Sequence, residues 1–372
     1  MHDSEKGACK SEAVLLAVSR EQFCRPPENY LIGLQFSPDG QRLLCNSNDN
    51  VLRLYISPGD TVLKEDVVPD LCVDLGQPVY DMKWHPQSPS FVTSSRRSPV
   101  LMWSADTGHT VCSVSIKNHV DEVTGPFCVQ FDSEGRHLFC GFDKSLLRIV
   151  DLNRPNDPPV TRCMSSGFGS GGRGRGNGSG IVSSIAISHS MYSMATYTGL
   201  IGLFDLKSGT QAAMLSGGHR DRGVTSVKFS PDSQLLISGA RRDNRLCVWD
   251  LRQLAVPLCA SLARNANSNQ RIDFDSLAHH HLVTGSLDGY LLLYDLNKLD
   301  CPPSVIRAHE DCCNSVTCNP CTPGLIASGS GQRHYSRTKM SLESSEEDSE
   351  DETPKVENCV KFWKLKNFET SL

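Results

Sequence analysis

Residues 227–250 read VKFSPDSQLLISGARRDNRLCVWD. A short apolar-alternating run ends at the turn Ser230-Pro231-Asp232-Ser233. A second apolar run, Leu235 to Ala240, ends at a polar bend, and a third closes on Trp249-Asp250. Alternating runs of this length, bounded by Pro, Asp, Ser and Gly, are the pattern of short strands joined by tight turns. The stretch therefore predicts three consecutive antiparallel strands. The bend between the second and third carries Arg241, Arg242 and Arg245. A turn has no need of these cations, because turn geometry favours Gly, Asn or Asp.

The same unit recurs along the chain. LQFSPDGQRLLCNSNDNVLRLY (34–55) is a clear copy. Weaker copies occupy 82–103, 129–151, 185–205 and 273–295, and a last one is split between 315–331 and 359–363. The third runs end at Tyr55, Trp103, Val150, Phe204, Trp249, Tyr294 and Trp363. Most of the intervals lie near the ~40–45 residues of a four-stranded propeller blade. GGH at 217–219, SPD at 230–232 and WD at 249–250 resemble the signature residues of WD40 repeats. The resemblance covers nearly the whole chain and implies an all-β, seven-bladed WD40-type β-propeller. It also implies structural roles for His119, His219 and His309, for the turn aspartates Asp49, Asp243 and Asp288, and for Trp249.

Only nine residues follow Trp363, too few to turn and run an outer strand. The segment EAVLLAVS (12–19) is a strand with no blade of its own, so it is expected to close the last blade. The expected organisation is a flexible N-terminus (1–11) and a single propeller domain (12–372). That domain carries a Gly-rich insert at 165–180 and an acidic, disordered insert at about 336–357. Within the acidic insert, Ser344, Ser345 and Ser349 have the surroundings that acidophilic kinases favour. Gly172-Arg173-Gly174-Arg175-Gly176 reads equally as a flexible linker or as a weak RNA-binding RGG-type segment.

The formal net charge of −5 is misleading, because residues 343–352 alone hold seven acids and no base. Without them the body of the protein is positive. No apolar run approaches the roughly 18 residues of a membrane span, and the first residues lack a signal-peptide pattern. Neither a membrane partner nor secretion is expected, so the 16 cysteines read as reduced thiols. Cys313, Cys318 and Cys321 have the spacing of part of an iron–sulfur site. Strand alternation separates their side chains, however, and no fourth ligand is suitably placed. His279, His280 and His281 have no acid or Cys partner nearby in sequence. No metal and no cofactor are expected. No nucleophile–base set or phosphate loop emerges, so the protein is expected not to be an enzyme and to take no small-molecule substrate.

In WD40 architecture the turn between a blade's second and third strands lies on the same end of the ring as the loop leading into its inner strand. Those turns here carry Arg96, Arg97, Lys144, Arg241, Arg242, Arg245 and Arg333. A loop leading into an inner strand adds Gln270 and Arg271. The charge would form one cationic end of the disc. Arg suits planar, bidentate contacts with phosphate or base edges. Gln332 and Tyr335 lie in the last of these turns, where an aromatic ring can stack on an unpaired base.

A narrower resemblance rests on FSPDGQRLLCNSNDNVLRLY, NHVDEVT, LFCGF, SGARRDNRLCVWDLRQ, NQRIDFD and SGQR. These stretches look like the telomerase Cajal body protein family. That resemblance implies a scaffold that binds a short loop motif, the CAB box, in small Cajal body RNAs. It implies placement in nuclear Cajal bodies, with a cytoplasmic pool, and leaves open whether telomerase RNA and its ribonucleoprotein proteins are also clients. The alternative is a protein scaffold such as a cullin-type ubiquitin ligase substrate receptor, to which Trp249-Asp250-Leu251-Arg252 conforms.

Overall fold

The structure is a computed structural model. It describes residues 12–20, 29–63, 65–165, 180–253, 258–277, 280–333 and 357–366. These form seven four-stranded antiparallel sheets, the blades of a β-propeller. Among them no helix is long and apolar enough to cross a membrane. The inner strands are Leu31–Phe36, Val79–Trp84, Cys128–Phe131, Val182–Ile187, Val224–Phe229, Phe274–Leu277 and Cys313–Cys318, in blades 1 to 7. Each of the first six blades then runs outward in sequence order.

Blade 7 breaks that order. Its outer strand is Ala13–Arg20, paired antiparallel with Cys359–Leu365 in a register running from Ala13↔Leu365 to Arg20↔Cys359. This is the closure expected from the bladeless strand EAVLLAVS. Leu16 and Ala17 pack with Leu31, Tyr55 and Phe362 in the core between blades 7 and 1, and the Ser19 hydroxyl donates to the Tyr55 hydroxyl at 3.3 Å. Closure covers the outer edge of Cys359–Leu365 and leaves the ring with only short, protected edges.

The core lies between blades, because each sheet is apolar on both faces. Trp249, Val227 and Leu236 pack with Ala195, Leu203 and Leu215 of blade 4. Outer strands such as Thr110–Val114 are largely exposed. Gly125 lies so close to the Ser95 carbonyl that an added Cβ would meet it at 1.7 Å, so blades 2 and 3 abut there backbone to backbone.

Five inner strands begin with a register shift, between Leu31 and Gly33, Val79 and Asp81, Val182 and Ser184, Val224 and Ser226, and Cys313 and Ser315. The extra residue of such a bulge turns its side chain out of the ladder. Ser183 uses this to donate to the Val224 carbonyl of blade 5 at 2.6 Å. Asn314 likewise donates from blade 7 to the Leu31 carbonyl of blade 1. Tyr80 occupies the bulge of blade 2. Carboxylates near the starts of inner strands also bind neighbouring blades. Asp81 accepts from the Val129 amide at 3.0 Å, and Asp275 accepts from Cys318 N at 2.9 Å and Lys228 Nζ at 2.7 Å.

Candidate RNA-binding face

The turns between second and third strands are pinned by buried polar clusters, and these decide which charges remain available. In blade 5, Trp249 Nε1 donates to Ser238 Oγ at 2.7 Å. Ser238 Oγ lies 2.8 Å from His219 Nε2, and His219 Nδ1 lies 2.9 Å from Asp243. Burial works against the Asp243 charge, but His219 and Arg245 outweigh it and hold the carboxyl at about 2. Arg245 also donates to the Gly218 carbonyl at 3.0 Å. Arg245 therefore belongs to the turn's own framework and not to the open face.

Blade 7 repeats this arrangement with a different acid. Trp363 and His309 both meet Ser328 Oγ, at 2.8 and 2.7 Å. His309 Nδ1 faces Glu357 at 3.3 Å, and Glu357 accepts from Lys361 Nζ at 2.7 Å. Burial opposes the Glu357 charge, yet His309 and Lys361 hold its carboxyl below the usual range. Glu357 was placed at the end of the disordered acidic insert by sequence, but it is instead a buttress of the blade. The distances among His309, Glu357 and Cys359 would admit a metal ion, but His309 meets Ser328, Glu357 accepts from Lys361, and the Cys359 thiol donates to Glu357. In blade 1, Arg53 fills the corresponding space, with Nη2 at 2.6 Å from Asp49 and Nη1 at 2.8 Å from Ser47. In blade 6, Asp288 accepts from Ser286 and its residue is exposed. His119 departs from the expected structural role. It is exposed and has no hydrogen-bond partner among the described residues, because its loop turns on Asn118, which caps Val120 and Glu122.

The cationic residues separate into two groups. Arg96, Arg97, Lys144, Arg242 and Arg333 are exposed. Arg97, Lys144 and Arg242 have φ of 53°, 53° and 50°, in the left-handed region. Blades 1, 4 and 6 fill that region of the same turn with Asn50, Gly199 and Gly289. A long side chain there is costly relative to Gly or Asn. Three blades thus carry a cation on strained backbone where a cheaper residue would serve the fold. Strain of this kind concentrates at functional positions.

The second group is held more tightly. Gln270 Nε2 donates to the Gly331 carbonyl at 3.1 Å, and Gln332 Nε2 donates to Asp311 at 2.7 Å. Arg271 Nε donates to Asp273 at 2.6 Å. Burial works against its charge, but the Asp273 and Asp81 carboxylates outweigh it and hold the guanidinium above its ordinary value. Arg271 lines the central channel, a cavity of about 880 Å³ that also takes in Tyr80, Asp81 and Lys83. Arg264, which sequence did not single out, is buried, drawn down to about 10 by that burial, and spent on the Ile272 carbonyl and Thr284.

Aromatic residues on this face went unnoticed in the sequence. Tyr197, in blade 4's turn, is 38% exposed and lies beneath the Arg241 guanidinium at 3.7 Å. Tyr80 and Phe127, leading into blades 2 and 3, stack at 5.5 Å and 14°. The turn Thr196-Tyr197-Thr198-Gly199 holds no charge, so a search for cations passes over the Tyr197 ring. Tyr335 and Ser344, Ser345 and Ser349 lie outside the described residues, as do most of the two inserts. On the opposite end, Arg252 is clamped by Asp250 through contacts of 2.9 and 2.7 Å.

The fold and this buried Trp–Ser–His–Asp chain define a WD40 β-propeller, and a family profile described as WD domain, G-beta repeat matches residues 210–250. The chain is 34% identical over 355 residues to the telomerase Cajal body protein 1 of Bos taurus, covering 90% of this chain and 63% of that protein. It is 35% identical over 354 residues to that of Homo sapiens, covering 89% and 62%. To the Drosophila melanogaster homolog it is 30% identical over 334 residues, covering 83% and 58%. Over most of its length the chain is thus similar to telomerase Cajal body proteins. It spans about three fifths of the length of these relatives.

Proposed function

We propose that this protein is a non-enzymatic RNA-binding scaffold whose cationic turn face grips a short single-stranded loop, the CAB box, of small Cajal body RNAs. The observation that carries this reading is the placement of Arg97, Lys144 and Arg242 on left-handed backbone in equivalent turns of three blades. Exposed Arg and Lys around a channel mouth neutralise phosphates, and neighbouring rings stack on unpaired bases. The names of the relatives pair telomerase with the Cajal body, and the reading extends to this chain residence in nuclear Cajal bodies, with a cytoplasmic pool, and telomerase ribonucleoprotein as a client. Bound RNA would be delivered by the scaffold and not altered by it.

The test is crosslinking of the full chain in cells followed by sequencing of the bound RNA. Small Cajal body RNAs should dominate for the unaltered protein and fall about tenfold when Arg97 and Arg242 become Ala together, a loss of ~1.4 kcal/mol. Recovery unchanged by that double substitution, or protein partners that persist in full after RNase, would overturn the reading in favour of a protein scaffold.

A further inference from the structure

The two groups of cations are not equivalent, and their surroundings suggest different tasks. Arg96, Arg97 and Arg242 are exposed and have no carboxylate partner among the described residues. An anionic phosphate meets nothing repulsive there. Arg271 sits between two acids. Asp273 takes its Nε at 2.6 Å, Asp81 is the second carboxylate acting on it, and Lys83 lies 3.5 Å from Asp81. Two positive and two negative charges cancel, leaving no net charge to hold a phosphate.

Arg271 nevertheless keeps a free recognition edge. Its Nη atoms have no hydrogen-bond partner among the described residues, and its side chain is 33% exposed at the channel mouth. A guanidinium fork in a neutral setting suits a neutral partner with two adjacent acceptors. On the Hoogsteen edge only guanine offers that, through O6 and N7, whereas adenine pairs an acceptor with a donor there; unpaired cytosine offers N3 and O2 but brings a smaller ring to a stacking surface.

A stacking surface lies beside the fork. The Arg242 amide donates to the Ser268 carbonyl at 2.9 Å, tying blade 5's turn to the loop that carries Arg271. The Arg241 amide donates to the Gly223 carbonyl at 2.9 Å. Gly223 has no room for a side chain, because a Cβ would come within 2.8 Å of the Tyr197 carbonyl. That close approach lays Arg241 on the Tyr197 ring. The Arg241 guanidinium makes no hydrogen bond among the described residues, so its outer face is a planar shelf backed by an aromatic ring.

We infer that Arg271, Arg241 and Tyr197 form a base-reading pocket for one unstacked guanine, with the Arg271 fork on its O6/N7 edge and the Arg241–Tyr197 pair stacked on its ring. The inference rests on the RNA-binding reading above and assigns sequence reading to this pocket. Positioning through phosphate falls to Arg96, Arg97 and Arg242.

The experiment is fluorescence anisotropy of the full chain with a uridine dodecamer and with the same dodecamer carrying one central guanosine, adenosine or 7-deazaguanosine. Guanosine should bind about tenfold more tightly than adenosine, and 7-deazaguanosine, which lacks the N7 acceptor, should lose most of that gain. Arg271→Lys should erase the preference, bringing the guanosine RNA down to the affinity of the adenosine RNA. Arg242→Ala should instead weaken all four RNAs alike and reduce the salt slope by about 0.7. Equal binding of guanosine and 7-deazaguanosine would overturn the pocket, and that arm uses the unaltered protein, so misfolding of a variant cannot mimic it. So would a guanosine preference retained in folded Arg271→Lys protein. Binding without base preference removes only the pocket, whereas no binding to any of the four removes the RNA-binding reading as well.

Discussion

Truncating Leu16 to Ala tests the closure of the ring. Leu16 is 3% exposed and packs with Leu31, Tyr55 and Phe362 across the junction of blades 7 and 1. Its strand is held on both sides, by the Cys359–Leu365 ladder and by amides of Leu63 and Val67 that donate to the Leu16 and Val18 carbonyls at 2.8 Å. A leucine emptied from a site fixed in this way costs about 2–5 kcal/mol. Unfolding entropy of about 2.1 cal/mol/K per residue over 372 residues gives roughly 0.8 kcal/mol per degree. The melting temperature should therefore fall by about 3–6 °C. Leu15→Ala is the internal control. It lies on the same strand but is 40% exposed, so its change should stay within about 0.5 kcal/mol and under about 1 °C. Deleting residues 12–20 should cost far more than Leu16→Ala and promote self-association, because it bares the Cys359–Leu365 edge. Calorimetry with size-exclusion chromatography reads both effects. Equal melting of Leu16→Ala and the parent, or an unchanged midpoint after the deletion, would refute closure by this strand.

Asp243→Asn should flatten the acid limb of the stability profile. The Asp243 carboxyl is depressed from 3.8 to about 2 in the folded protein. Its stabilisation is therefore present above about pH 4 and lost as pH falls towards 2, a change of about 2 kcal/mol visible in urea midpoints; matching pH slopes in parent and variant would count against it. Glu357→Gln removes the charge, and one of the two acceptor oxygens, that His309 and Lys361 share and should destabilise by about 1–3 kcal/mol in thermal melts. Gly125→Ala should fail to fold or lose more than about 4 kcal/mol, since its Cβ would meet the Ser95 carbonyl, whereas Gly33→Ala, with 3.6 Å to Met82, should express normally. Arg96→Ala with Arg97→Ala should lower the salt slope of RNA binding by about 1.4, measured by anisotropy across a potassium chloride series.

Much of the fold was legible because strand patterning is local. The run Leu246, Val248 set against Arg245, Cys247 reads as a strand without knowledge of its neighbours, and EAVLLAVS (12–19) reads as a strand with no blade of its own. The candidate face was less legible. Charge at a turn is visible in sequence, but whether that charge is free is not. Arg245 and Arg271 looked like Arg96 and Arg242, yet Asp243 and Asp273 hold the first two. Glu357 was hidden by the acids that precede it in sequence. His119 carried the right residue type in a loop that Asn118 folds away from the core.

The amino-acid sequence by itself determined the repeat, its number and the need for the N-terminal strand to close the ring. These follow from period-two alternation and turn residues, which act within one blade. Only the tertiary structure decided which cations face outward unpaired and which are neutralised. Arg271 feels Asp81 from another blade, and Arg241 lies on Tyr197 through the gap left by Gly223. Electrostatic and stacking partners are chosen by distance in space, and a propeller brings together at its channel mouth residues that its chain keeps a whole blade or more apart.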